Sequence, residues 1–174
     1  MAFQAELSDF GSFYERTYQG AYRTALAILR DHALAADLTQ QAYVDAYEHR
    51  HRFRGDAPGY AWLHKIVVNT ALGAARRKRP VIIRQIEPHD ARQSDAAPGT
   101  ADRLELMTAL DALAPKQRAA VVLRYYHDYD YSQIAQMLGT TTSNVGSLLS
   151  RALDRLRTEL EPHDAARQEM ESAR

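Results

Sequence analysis

The stretch YSQIAQMLGTTTSNVGSLLSRALDRLR, from Tyr131 to Arg157, carries the pattern that decides the fold. Its first part predicts a short helix, because Gly139 follows at a position where glycine commonly ends one. The threonines at 140–142 then offer an N-cap for a second helix. Apolar residues recur three and four positions apart in that helix, which is typical of a helix with one buried face: Val145, Leu148, Leu149, Ala152, Leu153 and Leu156. The stretch therefore predicts a helix-turn-helix.

The two helices of this stretch have distinct apolar and polar sides. Five residues are placed to pack the helices together: Ile134, Ala135, Leu138, Val145 and Leu149. The outward side of the second helix carries mostly short polar residues and one arginine: Ser143, Asn144, Gly146, Ser147, Ser150 and Arg151. Such side chains let a helix lie deep in the major groove and contact base edges and phosphates. The pattern favours DNA binding, with a plain helical hairpin packed on another helix as the alternative.

Helical periodicity extends over most of the remaining chain, and no alternating strand pattern is found. We expect helices over about 10–30, 34–49 and 60–77, with a loop rich in glycine and proline between the last two. From Pro80 to about Thr100 the periodicity is lost, which indicates a linker. It returns from Leu104 to Leu113, and Pro115 is suited to the first turn of a helix that extends to about His127.

The fold class that follows is all-α, with two small helical domains joined by a flexible linker. We expect the first domain over residues 1–80, the linker over 81–101, and the second domain, with its helix-turn-helix, over 102–160. After Glu161 and Pro162 the sequence turns polar, and we expect a frayed tail over 161–174.

The charge of the chain is balanced, with 22 basic and 22 acidic side chains. DNA-binding domains are usually basic, so this balance argues against tight DNA binding by the chain alone. Basic residues are nevertheless concentrated in two places, the run from Arg76 to Arg79 and the group Arg151, Arg155 and Arg157. Such local patches can contact phosphates while the whole chain stays neutral.

Several classes of function have no support in the composition. The chain has no cysteine, which excludes disulfides, thiol catalysis and cysteine-based metal centres. Its seven histidines are not accompanied by an HExxH motif, and neither a glycine-rich phosphate loop nor a nucleophile elbow is found. We therefore expect no enzyme activity, no catalytic residues, no metal site and no cofactor. Without a signal peptide or a long apolar run, we expect a cytoplasmic protein that does not span a membrane.

Two sets of motifs resemble one family. The segment LAPKQRAAVVLRYY from Leu113, with DYSQIAQMLG from Asp130 and the helix that follows, resembles the C-terminal DNA-binding region of bacterial RNA polymerase sigma factors. DLTQQAYVDAY from Asp37, FRGD from Phe53 and WLHKIVVNTAL from Trp62 resemble their polymerase-binding and promoter-melting region. The resemblance covers roughly residues 10–158, and the compact size is similar to the extracytoplasmic-function (ECF) subfamily.

The resemblance implies a non-catalytic function and a set of partners. The chain would bind core RNA polymerase, through its β′ clamp and β flap, and direct promoter-specific initiation. The second helix resembles the contact with the β′ clamp, which assigns polymerase binding to Asp37, Gln40 and Gln41; a solvated polar helix face is the simpler interpretation of the same residues. An anti-sigma factor is a further partner that the resemblance implies.

The resemblance also assigns residues to the two promoter elements. For the minus-ten element it implies capture of an unpaired base near the loop at 50–58, with aromatic and cationic side chains suited to single-stranded DNA: Phe53, Arg54, Asn69, Arg76, Arg77 and Lys78. For the minus-thirty-five element it implies backbone contacts by Arg124 and Tyr131, and contacts from the recognition helix by Asn144, Ser147 and Arg151. Gly146 and Leu148 stand where the family commonly has basic residues, which predicts weaker upstream binding.

Two other functions fit part of this pattern. A free-standing transcriptional regulator would also use a helix-turn-helix, but with a dimerisation surface or a ligand pocket in its other half. A polymerase-binding adaptor with weak DNA affinity would agree with Gly146 and Leu148. Binding to core polymerase separates the first from the sigma-factor hypothesis, and binding to fork-junction promoter DNA separates the second.

Overall fold

The computed structural model describes residues 9–55, 57–77 and 108–172, and no strand occurs in these ranges. The α-helices that lie wholly within these ranges are α1 (Phe10–Leu29), α2 (His32–His49), α3 (Gly59–Arg77), α4 (Pro115–Val121), α5 (Tyr131–Leu138) and α6 (Thr142–Ser172), and residues 108–111 are also helical. A 3-10 turn, Arg50–Arg52, follows α2, and a π-helix, Val122–Tyr126, continues α4. The all-α class is confirmed, whereas the predicted linker at 81–101 lies outside the described residues.

Short side chains define where the first helices begin. The carboxylate of Asp9 accepts a hydrogen bond from the backbone N–H of Ser12 at 3.1 Å, and Asp31 accepts one from Leu34 at 2.9 Å. Both satisfy backbone donors that a helix N-terminus leaves free. Between α1 and α2, Arg30 adopts a left-handed conformation with φ of 57°, which reverses the chain. The two helices therefore form a tight hairpin.

Helices α1, α2 and α3 pack around the core of the first domain. Alanines line much of this core and let the helix axes approach closely, while the hydroxyl groups of Thr17 and Tyr43 share a hydrogen bond of 2.7 Å. Phe13 and Leu63 fill the space between the helices. The buried members of the core are Phe13, Ala21, Ala25, Ala35, Ala42, Tyr43, Ala46, Leu63 and Val67.

A second core joins the two domains. It contains the apolar residues that pack α4, α5 and α6 together, including the five predicted to close the helix-turn-helix. It also contains Ile28 of α1 and Ala61, Val68 and Ala71 of α3. The two domains are therefore in direct apolar contact rather than held only by their covalent connection.

Two expectations for the last helix are wrong. A frayed tail was expected after Glu161, but α6 continues to Ser172. Alanine, arginine, glutamine and glutamate dominate this segment, and their helix propensity outweighs the one N–H that Pro162 lacks. Leu153 was placed on the apolar stripe, yet its side chain is 39% exposed. Ala152 and Leu156 pack instead against Ala109, Leu110 and Leu113.

Candidate nucleic-acid interface

The turn of the helix-turn-helix has well-defined caps at both sides. Asp130 and Gln133 cap the start of α5 reciprocally, with bonds of 2.8 and 3.0 Å between each side chain and the other residue's backbone N–H. Gly139 ends α5 with φ of 58°, a conformation that glycine adopts without the steric cost of a side chain. The hydroxyl of Thr141 then accepts a 3.2 Å bond from the N–H of Asn144 at the start of α6. The predicted turn chemistry is confirmed.

The predicted recognition residues lie on the outer side of α6. Asn144 and Arg151 are exposed, and Ser147 is half-buried. The amide of Asn144 donates to the hydroxyl of Thr140 at 2.6 Å, and the hydroxyl of Ser147 donates to the carbonyl of Ser143 at 3.2 Å. These local bonds orient the side chains on the surface. Their contact with DNA bases stays a prediction.

Arg124 and Tyr131 continue this surface beyond α6. The guanidinium of Arg124 lies 5.9 Å from the centre of the Tyr131 ring and donates to the carbonyl of Tyr129 at 3.2 Å. Gly146 lies beneath the same ring, since a Cβ built there would be 3.6 Å from Cε2 of Tyr131. The structure thus brings the five residues assigned to the upstream element onto one continuous surface, with Gly146 inside it.

The residues assigned to the minus-ten element lie on the first domain. The Phe53 ring packs 5.4 Å from Trp62 and is half-buried, so part of it is committed to the core. Arg54 and Asn69 are exposed. Arg76 and Arg77 are exposed in the last turn of α3, where a helix dipole also favours cations without any ligand. Lys78 lies outside the described residues.

The residues assigned to polymerase binding share an exposed face of α2. Asp37, Gln40 and Gln41 are all exposed, and Gln41 donates to the carboxylate of Asp45 at 2.9 Å. The sequence analysis missed Val44 and Tyr47 on the same face, each 49% exposed. Val44 lies three residues after Gln41 and four after Gln40, and Tyr47 lies three after Val44, and this helical spacing was the signal that could have identified them. The face is therefore part polar and part apolar.

The contact between the domains contains polar groups that the sequence analysis also missed. Arg118 is buried, and its guanidinium donates to the carbonyl of Ile28 at 2.8 and 3.1 Å. It also donates to the carbonyls of Leu113 at 3.0 Å and Leu110 at 3.3 Å. Burial lowers the pKa of Arg118 from its ordinary value, and the carboxylate of Asp111 opposes that shift. One arginine thereby holds the end of α1 against the second domain.

Two histidines face each other in the same contact. The rings of His64 and His127 lie 4.0 Å apart between centroids. His64 shares a 2.8 Å hydrogen bond with the hydroxyl of Tyr129, and His127 shares one of 2.7 Å with the hydroxyl of Thr24. Burial lowers the pKa of His64 to about 3 and that of His127 to about 4. Both imidazoles are therefore neutral at pH 7.

Two further properties bear on the classes of function. No helix in the described part of the chain is long and apolar enough to cross a membrane. Within residues 9–55, 57–77 and 108–172, no three metal-binding side chains are grouped so that they could hold an ion.

Comparison with known proteins identifies both domains. Sigma-70 region 2 matches residues 13–81, and Sigma-70, region 4 matches residues 103–156. The RNA polymerase sigma-E factor of Streptomyces antibioticus is 33% identical over 161 residues, which cover 92% of this chain and 89% of that one. The ECF RNA polymerase sigma factor SigM of Mycobacterium tuberculosis is 32% identical over 148 residues, covering 84% of this chain and 74% of its own.

A solved structure agrees in fold. The sigma factor RpoE from Bartonella quintana, in complex with the anti-sigma factor NepR, superposes with a TM-score of 0.70 at 23% identity, covering 88% of this chain and 97% of that chain. The family matches follow the order of the two domains described above. The chain therefore belongs to the RNA polymerase sigma factors, in their extracytoplasmic-function group.

Proposed function

We propose that this sigma factor divides promoter recognition between its two domains, with the first on the minus-ten element and the second on the minus-thirty-five element. The observation that carries the proposal is the outer surface of α6. Asn144 and Arg151 are exposed on a helix whose other side is anchored in a core by Val145 and Leu149. A rigidly held helix with short polar residues outward is suited to insertion into the major groove.

In the second domain, the proposed contacts divide into positioning and reading. Arg124 and Tyr131 contact phosphates, which sets the register of the domain on the duplex without reading sequence. Asn144, Ser147 and Arg151 lie where base edges are presented in the groove, and amide and guanidinium groups form paired hydrogen bonds with adenine and guanine. The upstream preference of the factor follows from these three side chains.

In the first domain, the loop at 50–58 and the end of α3 bind the melted strand. The exposed cations Arg54, Arg76 and Arg77 follow its phosphates, and Asn69 presents hydrogen-bonding groups to an unstacked base. Phe53 has one side against Trp62, so stacking on a base would use the side of the ring that the core leaves open.

The exposed face of α2 binds the polymerase. Asp37, Gln40 and Gln41 supply polar contacts, while Val44 and Tyr47 supply the apolar area that protein interfaces place at their centre. The partner enzyme carries the catalysis, and this chain contributes positioning and strand separation. The function takes place in the cytoplasm, where the polymerase and the chromosome are.

Control by an anti-sigma factor completes the proposal. The structure of RpoE from Bartonella quintana, which shares this fold, is a complex with the anti-sigma factor NepR. An anti-sigma factor that occupies the polymerase-binding face or the contact between the domains would keep this chain from initiation until a signal releases it.

Run-off transcription tests the proposal directly. Purified protein, core polymerase and a template carrying the gene's own upstream region should yield a discrete transcript that neither protein yields alone. Val44→Asp should abolish the transcript and co-elution with polymerase, because it places a charge in the apolar part of the α2 face. Gln19→Asp, at an exposed position on α1, is the control and should leave both unchanged. If no discrete transcript formed from this promoter or from any other, the proposal would be refuted.

A further inference from the structure

The contact between the two domains has more than one kind of stabilising interaction. It combines a shared apolar core with hydrogen bonds between residues far apart in the sequence. We propose that this packed arrangement is a self-inhibited state, held by a latch between the domains, and that protonation of His64 and His127 releases it. That the packed state is inhibited rests on the proposed division of promoter recognition, while the existence of the latch rests only on the contacts between the domains.

The packed arrangement is too short to reach both promoter elements. Elements centred near minus ten and minus thirty-five are about 25 base pairs apart, or roughly 85 Å along straight B-DNA at 3.4 Å per base pair. Two touching domains of about 60 residues each span roughly 55 Å. The domains must therefore separate before both elements are bound, and every contact that joins them opposes that step.

The latch has an outer polar part around α1. Arg118 reaches across the contact to the carbonyl of Ile28, near the C-terminal end of α1, where a helix favours a cation. Arg30 and Asp111 form an ion pair at 2.5 Å, in which the carboxylate is 41% exposed. Arg23 donates to the hydroxyl of Tyr126 at 3.0 Å. These contacts all connect α1 with the second domain.

The inner part of the latch is the histidine pair. His64 comes from α3 and His127 from the end of the π-helix, and each binds a hydroxyl of the opposite domain. Gly20 of α1 gives them room, since a Cβ there would lie 3.7 Å from His127 and 3.8 Å from His64. His64 is buried and His127 is half-buried between the two domains, and separation of the domains exposes both rings further to water.

Among the described residues around these rings, few charges compensate their protonation. From α1, Arg23 binds the hydroxyl of Tyr126, whose ring lies 4.7 Å from that of His127. From α3, Tyr60 lies 6.2 Å from His64, and Tyr129 from the second domain binds it. Asp128 raises the pKa of His127, but burial outweighs it. A charge on either ring would also repel a charge on the other at 4.0 Å between centroids.

The direction of the pH effect follows from these surroundings. In the closed state burial lowers the pKa of His64 to about 3 and that of His127 to about 4. In water an imidazole titrates near 6.5, so the open state binds more protons below that pH and acid favours opening. The latch reaches full strength well above pH 6.5, where the imidazoles are neutral in the open state too. Between pH 7.5 and 5.5 each exposed imidazole shifts the open-to-closed ratio about tenfold, and two shift it about 100-fold.

Energy transfer between two dyes measures the closed fraction. The chain has no cysteine, so Glu15→Cys on α1 and Glu159→Cys on α6 create the two labelling sites, both exposed. We expect high transfer efficiency at pH 7.5 and a large fall at pH 5.5, with the circular dichroism at 222 nm unchanged. Low transfer at pH 7.5, or high transfer at both pH values, would overturn the proposal.

Substitutions identify the groups responsible. His127→Gln should reduce the pH response, and the double variant His64→Gln/His127→Gln should remove it. His32→Gln is the matched control, because His32 is exposed at the start of α2 and should leave the response intact. Since His64 is buried and its variant can fail to fold, Asp111→Ala offers a second test at the exposed edge. It should lower the transfer at pH 7.5 with helicity unchanged, and unchanged transfer would contradict the latch.

Run-off transcription with the same variants distinguishes a failure of the latch proposal from a failure of the proposed function. A flat energy-transfer response in a protein that supports transcription rejects the latch and keeps the division of promoter recognition. A normal response in a protein that supports no transcription rejects the proposed function and keeps the latch.

Discussion

The outer surface of α6 and the contact between the domains both contain hydrogen-bonded polar side chains, but the partners of these side chains differ in the two places. On α6, Asn144 and Ser147 bond to partners four residues away, and Asn144 is exposed while Ser147 is half-buried. Between the domains, Arg118 bonds to a carbonyl 90 positions away, and Thr24 and His127 are 103 positions apart. The side chains on the outer surface of α6 thus bond to residues nearby in the sequence, whereas those in the contact between the domains bond to residues far away in the sequence.

This difference decides what a substitution costs. Removing an exposed side chain changes the folding free energy little, because water replaces what is lost. Removing a buried polar group leaves its partners without a hydrogen bond in an environment that cannot supply one. Stability should therefore respond to changes between the domains, and partner affinity to changes on α6.

The largest effect should follow from Arg118→Met. The substitution keeps an apolar stem but leaves the carbonyls of Ile28, Leu110 and Leu113 without their shared donor. We expect the free energy of unfolding to fall by about 3 kcal/mol, measured by urea denaturation. Arg151→Met is the matched control, since it makes the same chemical change on an exposed helix position, and it should change stability by less than about 0.5 kcal/mol. Equal effects in the two variants would contradict the comparison.

A smaller effect, on DNA rather than on stability, is expected from Asn144→Ala and from Arg151→Ala. Each removes a side chain assigned to the upstream element, and loss of one good base contact weakens binding about tenfold. Anisotropy of a labelled upstream duplex with the polymerase-bound protein measures the affinity. Lys65→Ala removes an exposed residue of the first domain and should leave upstream affinity unchanged. If Lys65→Ala weakened binding as much as Arg151→Ala, the outer surface of α6 would not be what recognises the upstream element.

The smallest effect is a gain, from Gly146→Lys. The helix at this position has room for a side chain, because its Cβ would be in ordinary contact with Tyr131 at 3.6 Å. An added phosphate contact should improve upstream affinity about threefold and make the dependence on salt steeper by about 0.9 in the log–log slope. Gly146→Ala separates charge from helix propensity: it should stabilise α6 without changing the slope. A slope unchanged by lysine would show that Gly146 does not face phosphates.

Much of the fold was predictable because its determinants are local. The bounds of α1 and α3 and the end of α2 follow from periodicity, and the turn before α6 follows from Gly139; α2 begins at His32, two residues before the predicted start, because Asp31 caps it. The end of α6 was not predicted, since Pro162 is a strong local signal that the surrounding helix-forming residues outweigh. Leu153 fits the apolar spacing of its helix, but within the described part of the chain its side chain stays 39% exposed.

The sequence by itself determined the two helical domains, the helix-turn-helix and the resemblance to sigma factors, because these depend on residues within a few turns of each other. Only the tertiary structure decided the roles of Arg118, His64 and His127. Each lies in an ordinary helical pattern, and each has a hydrogen-bond partner 65 or more positions away. An arginine or a histidine is exposed in most contexts, and packing between distant helices is what makes these three buried, neutral or hydrogen-bonded. The helix-turn-helix could thus be predicted from the sequence, whereas its packing against the other domain could not.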